Sequence, residues 1–158
     1  MLASRTAAFG YYKDPVKTAQ TFIRIDSKGY VLTGDWATVD DDGTITLLGR
    51  GSMSINTGGE KVFAEEVEEA IKRHPLVDDC LVVGLPDERF GQRVVAVVAS
   101  NAPQSLDAEQ LGDFLRKSLA HFKIPKTFVI RSAIQRAPNG KADYKWAVRT
   151  AEDANSES

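Results

Sequence analysis

The sequence predicts a protein of mixed helices and strands, in which a strand-rich segment to about residue 50 precedes a segment of alternating helix and strand. The chain has 158 residues, 42% of them apolar and 27% charged, which is typical of a globular domain. Short runs between turn residues fill the first segment, whereas longer apolar runs follow it. The glycines of GRGS at 49–52 separate the two patterns and predict a hinge or domain boundary.

A β-hairpin is predicted at the end of the first segment. The runs WATVD at 36–40 and TITLL at 44–48 flank the turn residues Asp41, Asp42 and Gly43. Asp-Gly between two alternating runs is a strong hairpin signal.

Two amphipathic helices are predicted in the second segment. The first contains apolar residues at helical spacing from Phe63 to Ile71, with acidic residues at its start and basic residues at its end, and Pro75 terminates it. Asp107 with Gln110 forms the capping-box pattern of the second helix. The apolar face of the second helix consists of Leu111, Phe114, Leu115 and Leu119.

Strands are predicted around these helices. The apolar runs at 79–84 and 93–99 indicate buried strands joined by the loop GLPDERFGQ, and TFVI at 127–130 indicates a shorter strand. Residues 147–158 are polar and are predicted to form a frayed tail.

Composition excludes several classes of function. The 20 basic and 22 acidic side chains give a net charge of −2 without a basic run, which argues against nucleic-acid binding. His74 and His121 are too few and too isolated for a zinc site, so no metal site is expected. Cys80 is the only cysteine and lies in an apolar run, which indicates a core residue in a reduced compartment. Without a leader or membrane segment, the expected location is the cytoplasm.

The segment PNGKA at 138–142 places Lys141 on a tight turn. By itself this pattern is typical of a solvated surface turn. It is not a phosphate loop, because Ala142 follows the lysine where Ser or Thr is required.

Seven sequence motifs, taken in their order along the chain, are more specific than the periodicity of apolar residues. They are GYYKDPVKTAQTF at 10–22, TGDWA at 33–37, DGTITLLGR at 42–50, NTGGEKVFAEEVE at 56–68, VVGLPDERFGQRVVAVV at 82–98, FKIPK at 122–126 and APNGKADYKW at 137–146. Together they resemble the C-terminal part of an AMP-forming acyl-CoA synthetase of the adenylate-forming superfamily. The GRGS, GGEK and KADYKW segments are most similar to actinobacterial fatty-acid or sterol-acid CoA ligases.

The resemblance implies an α+β fold in three parts. Residues 1–50 would be a β-rich remnant of the large AMP-binding domain, residues 51–146 the small C-terminal domain, and residues 147–158 the tail. In this family the small domain closes over the large one in two orientations, of which one forms the acyl-adenylate and the other transfers the acyl group to CoA.

The substrates implied are ATP, CoA and a small-molecule acid, with Mg²⁺ accompanying ATP and held by no residue of this chain. The family's ATP phosphate loop and acyl pocket are absent from the sequence, so the chain alone is expected to be inactive without an N-terminal domain. Strands in the remnant are expected to pair with a second copy, giving a homodimer or aggregates.

Three residues match nucleotide-handling positions of the family. Asp35 matches the aspartate that accepts hydrogen bonds from the ribose hydroxyls, although a plain turn aspartate is the alternative. Arg50 matches the arginine that contacts the same nucleotide, or it anchors the hinge through a salt bridge. Lys141 matches the catalytic lysine that reaches the carboxylate and the α-phosphate during adenylation, where a movable cation offsets the repulsion of two anions.

The remaining matches concern CoA and the hinge. Gly58 and Gly59 match the loop beside the pantetheine arm, with a plain tight turn as the alternative. Gly51 and Ser52 occupy the hinge, where the family commonly has Asp or Lys. Ala64 replaces the proline usual at the helix start. Lys61, Lys123 and Lys126 are weaker candidates for the CoA phosphates.

The sequence therefore supports two functions. The first is a piece of an acid–CoA ligase. The alternative is a stand-alone, non-catalytic small domain that binds a partner protein or CoA.

Overall fold

The computed structural model describes residues 3–5, 8–50 and 54–156, with only the backbone described for 3–5 and Arg50. The chain divides into two compact units, Met1–Ser52 and Met53–Ser158. Within the described residues, no helix is both long and apolar enough to cross a membrane.

The first unit consists of short strands and one short helix. Its elements are β1 Ala3–Arg5, α1 Pro15–Thr21, β2 Phe22–Ile25, β3 Lys28–Leu32, β4 Asp35–Val39 and β5 Ile45–Arg50. Strands β1, β3 and β2 form an antiparallel sheet in that order, and β4 and β5 form a separate antiparallel pair. The predicted hairpin is confirmed.

Helix α1 was not predicted. Asp14 caps it by accepting a hydrogen bond from the Lys17 N–H at 2.9 Å, and Pro15 occupies its first turn. No side chain of the helix is buried. A helix without a buried face leaves no apolar periodicity in the sequence, so only its cap residues signal it.

The second unit is a sheet with helices on both faces. Its elements are β6 Ser54–Thr57, β7 Glu60–Phe63, α2 Ala64–Lys72, β8 Asp79–Asp87, β9 Gly91–Ala99, α3 Ala108–Leu115, β10 Thr127–Arg131 and α4 Tyr144–Ser156, with 3₁₀ turns at Pro103–Ser105 and His121–Lys123. The strand order is β10-β9-β6-β7, and β8 pairs with β9. Among the strands described in this unit, β10 is parallel to its neighbour β9, and the other pairs are antiparallel.

Strand β9 shows how the core is divided between the two faces. Val94, Ala96 and Val98 belong to the cluster that contains the buried faces of α2 and α3. Val95 and Val97 point to the other face, against α4. Both predicted helices are confirmed, and Asp107 accepts hydrogen bonds from the N–H groups of Glu109 and Gln110.

Two sequence predictions for this unit were wrong. The frayed tail from 147 is helix α4, which continues to Ser156 because Ala147 and Ala151, one turn apart, are buried against the sheet. The loop GLPDERFGQ is mostly strand: β8 continues to Asp87 and β9 begins at Gly91.

Candidate functional site

Asp35 and Arg50 lie opposite each other. They are partners at the end of the β4–β5 ladder, so the hairpin brings together two predicted nucleotide-binding residues that are distant in sequence. Asp35 is half-buried, and its N–H donates to the Thr33 Oγ1 at 3.3 Å. Gly34, with a φ of +80°, turns the chain just before it.

A β-bulge follows this pair. Trp36 is opposite Gly49, but Ala37 is opposite Leu47, so Leu48 is the extra residue. Bulges bend a strand and change the direction of neighbouring side chains. Here the bulge lies immediately beside the Asp35 and Arg50 end of the hairpin.

Lys141 is exposed at the end of a closed turn. The Gly140 N–H donates to the Ala137 carbonyl at 2.8 Å, and the Ala137 N–H donates to the Lys141 carbonyl at 2.9 Å. The Lys141 N–H donates to the Asn139 Oδ1 at 3.1 Å. Gly140 has a φ of +77°, which favours glycine. The backbone that carries Lys141 is therefore defined by local hydrogen bonds.

An ion pair precedes this turn. The Arg136 Nε and Nη2 donate to both carboxylate oxygens of Asp79, at distances of 2.5 to 2.9 Å. Asp79 is the first residue of β8, and its Oδ1 also accepts from the Cys80 N–H. The Arg136 Nη1 lies 3.4 Å from the Gly140 carbonyl.

Tyr144, which follows the Lys141 turn in sequence, contacts the buried carboxylate of Glu68. Glu68 of α2 is 6% exposed, and its Oε1 accepts from the Val82 N–H at 2.9 Å. Its Oε2 accepts from the Tyr144 hydroxyl at 3.3 Å. Burial raises the pKa of Glu68 to about 7 and also raises the pKa of Tyr144.

Gly58 and Gly59 form the two-residue turn between β6 and β7. Their φ values of +59° and +88° fit a type I′ hairpin turn, which explains both glycines without a ligand. A Cβ on Gly58 would lie 3.2 Å from the Phe90 ring, whereas a Cβ on Gly59 would meet no atom within 4 Å. The backbone of Gly58 is therefore packed against an aromatic ring.

A pocket of about 240 Å³ opens beside this turn. It is lined by Thr57, Gly58, Glu60, Phe90, His121, Phe122 and Lys126. The Lys126 Nζ lies 5.8 Å from the centre of the Phe90 ring. Two half-exposed aromatic rings and an ammonium group suit a flat, anionic ligand.

The other lysines predicted as site residues lie outside this pocket. Lys123 is paired with Glu66, with Nζ to carboxylate distances of 2.6 and 2.8 Å, so its charge is already matched. Lys61 is exposed on β7. Gly51 and Ser52, the predicted hinge, lie outside the described residues. Lys141 does not line the pocket beside Gly58.

Cys80 is a core residue in the structure. It is 1% exposed, its thiol donates to the Glu68 carbonyl at 3.4 Å, and burial raises the pKa of that thiol. Across residues 3–5, 8–50 and 54–156, no group of three or more His, Cys, Asp or Glu side chains is placed to hold a metal ion.

The sequence did not single out the aromatic lining or the side chains that flank the Lys141 turn. Phe90 and Phe122 were quoted only within motifs, and the Arg136–Asp79 and Tyr144–Glu68 contacts join residues that are distant in sequence. Long-range side-chain contacts leave no local periodic signal.

Comparison with known proteins defines the class. Residues 66–141 match the model of the AMP-binding enzyme C-terminal domain. The chain is 51% identical over 138 residues to the medium/long-chain-fatty-acid–CoA/3-oxocholest-4-en-26-oate–CoA ligase of Mycobacterium tuberculosis. It is equally similar to the 3-oxocholest-4-en-26-oate–CoA ligase of Rhodococcus rhodochrous. These matches cover 87% of this chain but only 25% of each relative.

Solved structures agree with this class. Apo MatB from Rhodopseudomonas palustris is 33% identical with a TM-score of 0.76, and the fatty acyl CoA synthetase of Mycobacterium tuberculosis is 30% identical with a TM-score of 0.67. Each match covers 92% of this chain and 28% of the other. The second unit therefore carries an AMP-binding enzyme C-terminal domain over residues 66–141, and the chain as a whole is similar to about a quarter of the length of acid–CoA ligases.

Proposed function

We propose that the chain forms the C-terminal part of a ligase that activates a fatty or sterol-derived acid with ATP and transfers the acyl group to CoA. The observation that carries the proposal is Lys141, exposed on a turn whose backbone is closed by hydrogen bonds. The similarity to fatty-acid and sterol-acid CoA ligases supports the choice of substrate class.

Adenylation joins a carboxylate to the α-phosphate of ATP and releases pyrophosphate. Both reactants are anionic, so an ammonium group between them offsets their repulsion and stabilises the charge that develops in the transition state. Lys141 would supply that group when the second unit closes over an N-terminal domain. Mg²⁺ would accompany ATP and be held by other parts of the ligase.

The nucleotide would be held by the β4–β5 hairpin. The Asp35 carboxylate would accept hydrogen bonds from both ribose hydroxyls, and a carboxylate suits this role because it has two acceptor oxygens. The guanidinium of Arg50, on the opposite strand, would contact the same nucleotide. The register of the hairpin supports a joint role for the two residues.

CoA would lie along the Gly58–Gly59 turn. The turn offers a surface without side chains for the narrow pantetheine arm, and the adjacent pocket offers the Phe90 and Phe122 rings and Lys126. Acyl transfer to the CoA thiol then releases AMP. Cys80 is a free, buried cysteine, which supports a reduced, cytoplasmic setting for the proposed reaction.

The two half-reactions test the proposal. In a complete ligase that carries this chain, Lys141→Ala should slow acyl-adenylate formation by about two orders of magnitude or more, while transfer from supplied acyl-adenylate to CoA stays near the wild-type rate. Lys145→Ala, which removes an exposed lysine of α4, is the matched control and should change neither rate. Equal loss in both half-reactions would remove Lys141 from its proposed role.

The pocket beside Gly58 favours a second candidate function, CoA binding without catalysis. If the second unit binds CoA unaided, calorimetric titration of the 158-residue chain should show binding that Phe90→Ala weakens by about tenfold, a typical value for a lost base–aromatic stack. Phe9→Ala, an exposed position in the first unit, is the control. Absence of CoA binding by the chain would exclude this function.

A further inference from the structure

The turn that carries Lys141 is closed by its own hydrogen bonds, but these bonds join it to nothing else. All three lie within residues 137–141. They fix the shape of the turn and leave open how the turn is oriented on the second unit. Any residue that controls this orientation must lie outside the turn.

Arg136 supplies such a connection. It directly precedes the turn and is bridged to Ala142 on the other side of it. Its guanidinium binds both oxygens of Asp79, and a two-pronged contact of this kind restricts direction as well as distance. Asp79 begins β8, and the next residues of β8 are buried in the core. The rigid sheet is thus connected to the first residue of the Lys141 segment.

The C-terminal end of the turn is also connected to the second unit's sheet, through α2 and β8. Asp143 directly precedes α4, and its carboxylate accepts a hydrogen bond from the Trp146 N–H at 3.0 Å. The Tyr144 hydroxyl contacts Glu68, whose other oxygen binds the β8 backbone at Val82. Contacts on both sides of Lys141 therefore lead to α2 and β8.

We propose that Arg136, through its ion pair with Asp79, is a positioning residue that orients the Lys141 turn for adenylation. This inference rests on the proposed function. Its physical basis is that a displacement of about 1 Å in a reacting group costs up to about 100-fold in rate. Arg136 and Asp79 are 41% and 24% exposed, so the pair adds little to global stability and its effect should be local.

The first test measures the order of the turn in the 158-residue chain. Asp79→Asn and Arg136→Gln should each lower the ¹⁵N order parameters of Asn139, Gly140 and Lys141, while the urea midpoint of unfolding stays nearly unchanged. Arg136→Lys keeps the charge but loses the two-pronged contact, and should fall between wild type and Arg136→Gln. Arg149→Gln, an exposed arginine of α4, is the control and should change neither measurement.

The second test measures rates in a complete ligase that carries this chain. Arg136→Gln and Asp79→Asn should lower kcat for adenylation by about 10- to 100-fold with little change in KM for ATP, and should leave acyl transfer to CoA unchanged.

If Lys141→Ala slows adenylation but the Arg136 and Asp79 variants do not, the inference is wrong and the proposed function stands. If Lys141→Ala has no effect, the proposed function fails and the inference falls with it. If Arg136→Gln slows adenylation while the turn keeps its order, Arg136 acts on the substrate directly and the positioning role is wrong.

Discussion

The two units support their proposed site residues by different means. In the second unit the Lys141 turn is flanked by contacts to α2 and β8, which lie in a core with many fully buried apolar side chains. In the first unit, Asp35 and Arg50 are partners in a two-stranded ladder, and no side chain described between residues 8 and 49 is buried. A two-stranded hairpin is only marginally stable by itself. The second unit therefore supports its proposed site residue with its own core, whereas the described residues of the first unit provide no such core for Asp35 and Arg50.

The largest expected difference concerns matched leucines. Leu111→Ala removes a side chain with 0% exposure and should lower the free energy of unfolding by about 2 to 5 kcal/mol. Leu47→Ala removes one that is 63% exposed and should change it by less than about 0.5 kcal/mol. Urea unfolding followed by Trp146 fluorescence in a Trp36→Phe background measures the Leu111 variant, and unfolding followed by Trp36 fluorescence in a Trp146→Phe background measures the Leu47 variant. Equal effects would abolish the contrast between the units.

Stability of the second unit should depend on pH through Glu68. Burial raises the pKa of Glu68 to about 7, above its ordinary value of 4.5, so the folded state binds this proton more tightly than the unfolded state does. The free energy of unfolding should therefore fall by about 3 kcal/mol as pH rises from 4.5 through 7.

The matched variants for this effect are both Glu→Gln. Glu68→Gln should remove that part of the pH dependence, whereas Glu152→Gln, at an exposed position of α4, should keep it. Urea unfolding at a series of pH values provides the measurement. Identical pH profiles for wild type and Glu68→Gln would show that Glu68 titrates normally.

The first unit should matter for nucleotide use more than for stability. In a complete ligase, Asp35→Ala should lower kcat/KM for ATP by about tenfold, the value of a charged hydrogen bond. Asp41→Ala, in the turn of the same hairpin, is the control. Unchanged ATP kinetics in the Asp35 variant would remove Asp35 from the nucleotide site.

The smallest expected difference concerns the helix caps. Asp107→Ala should lower the free energy of unfolding of the second unit by about 1 kcal/mol, because two N–H groups of α3 lose their acceptor. Asp14→Ala removes the same kind of cap from α1 and should not shift the transition reported by Trp146. A shift of similar size in both variants would mean that the two units unfold together.

Elements with a strong local signal were predictable from the sequence. Helices α2 and α3 have apolar faces at helical spacing, and the β4–β5 hairpin has its Asp-Gly turn. Helix α4 was not predicted, because its buried residues are the small side chains of Ala147 and Ala151, which give only a weak apolar signal among polar neighbours. Motif order led to Asp35, Arg50 and Lys141. The Arg136–Asp79 pair could not be predicted, because only the folded sheet brings the two residues together.

Amide hydrogen exchange of the 158-residue chain, read by mass spectrometry, tests most directly whether the second unit alone is a self-supporting fold. Peptides from α2, β8 and β9 should exchange slowest, since their amides open only when the core unfolds. Peptides from residues 8–49 should exchange at least about tenfold faster. Equal protection of the two units would contradict the account, because it would show that the first unit is as well supported as the second.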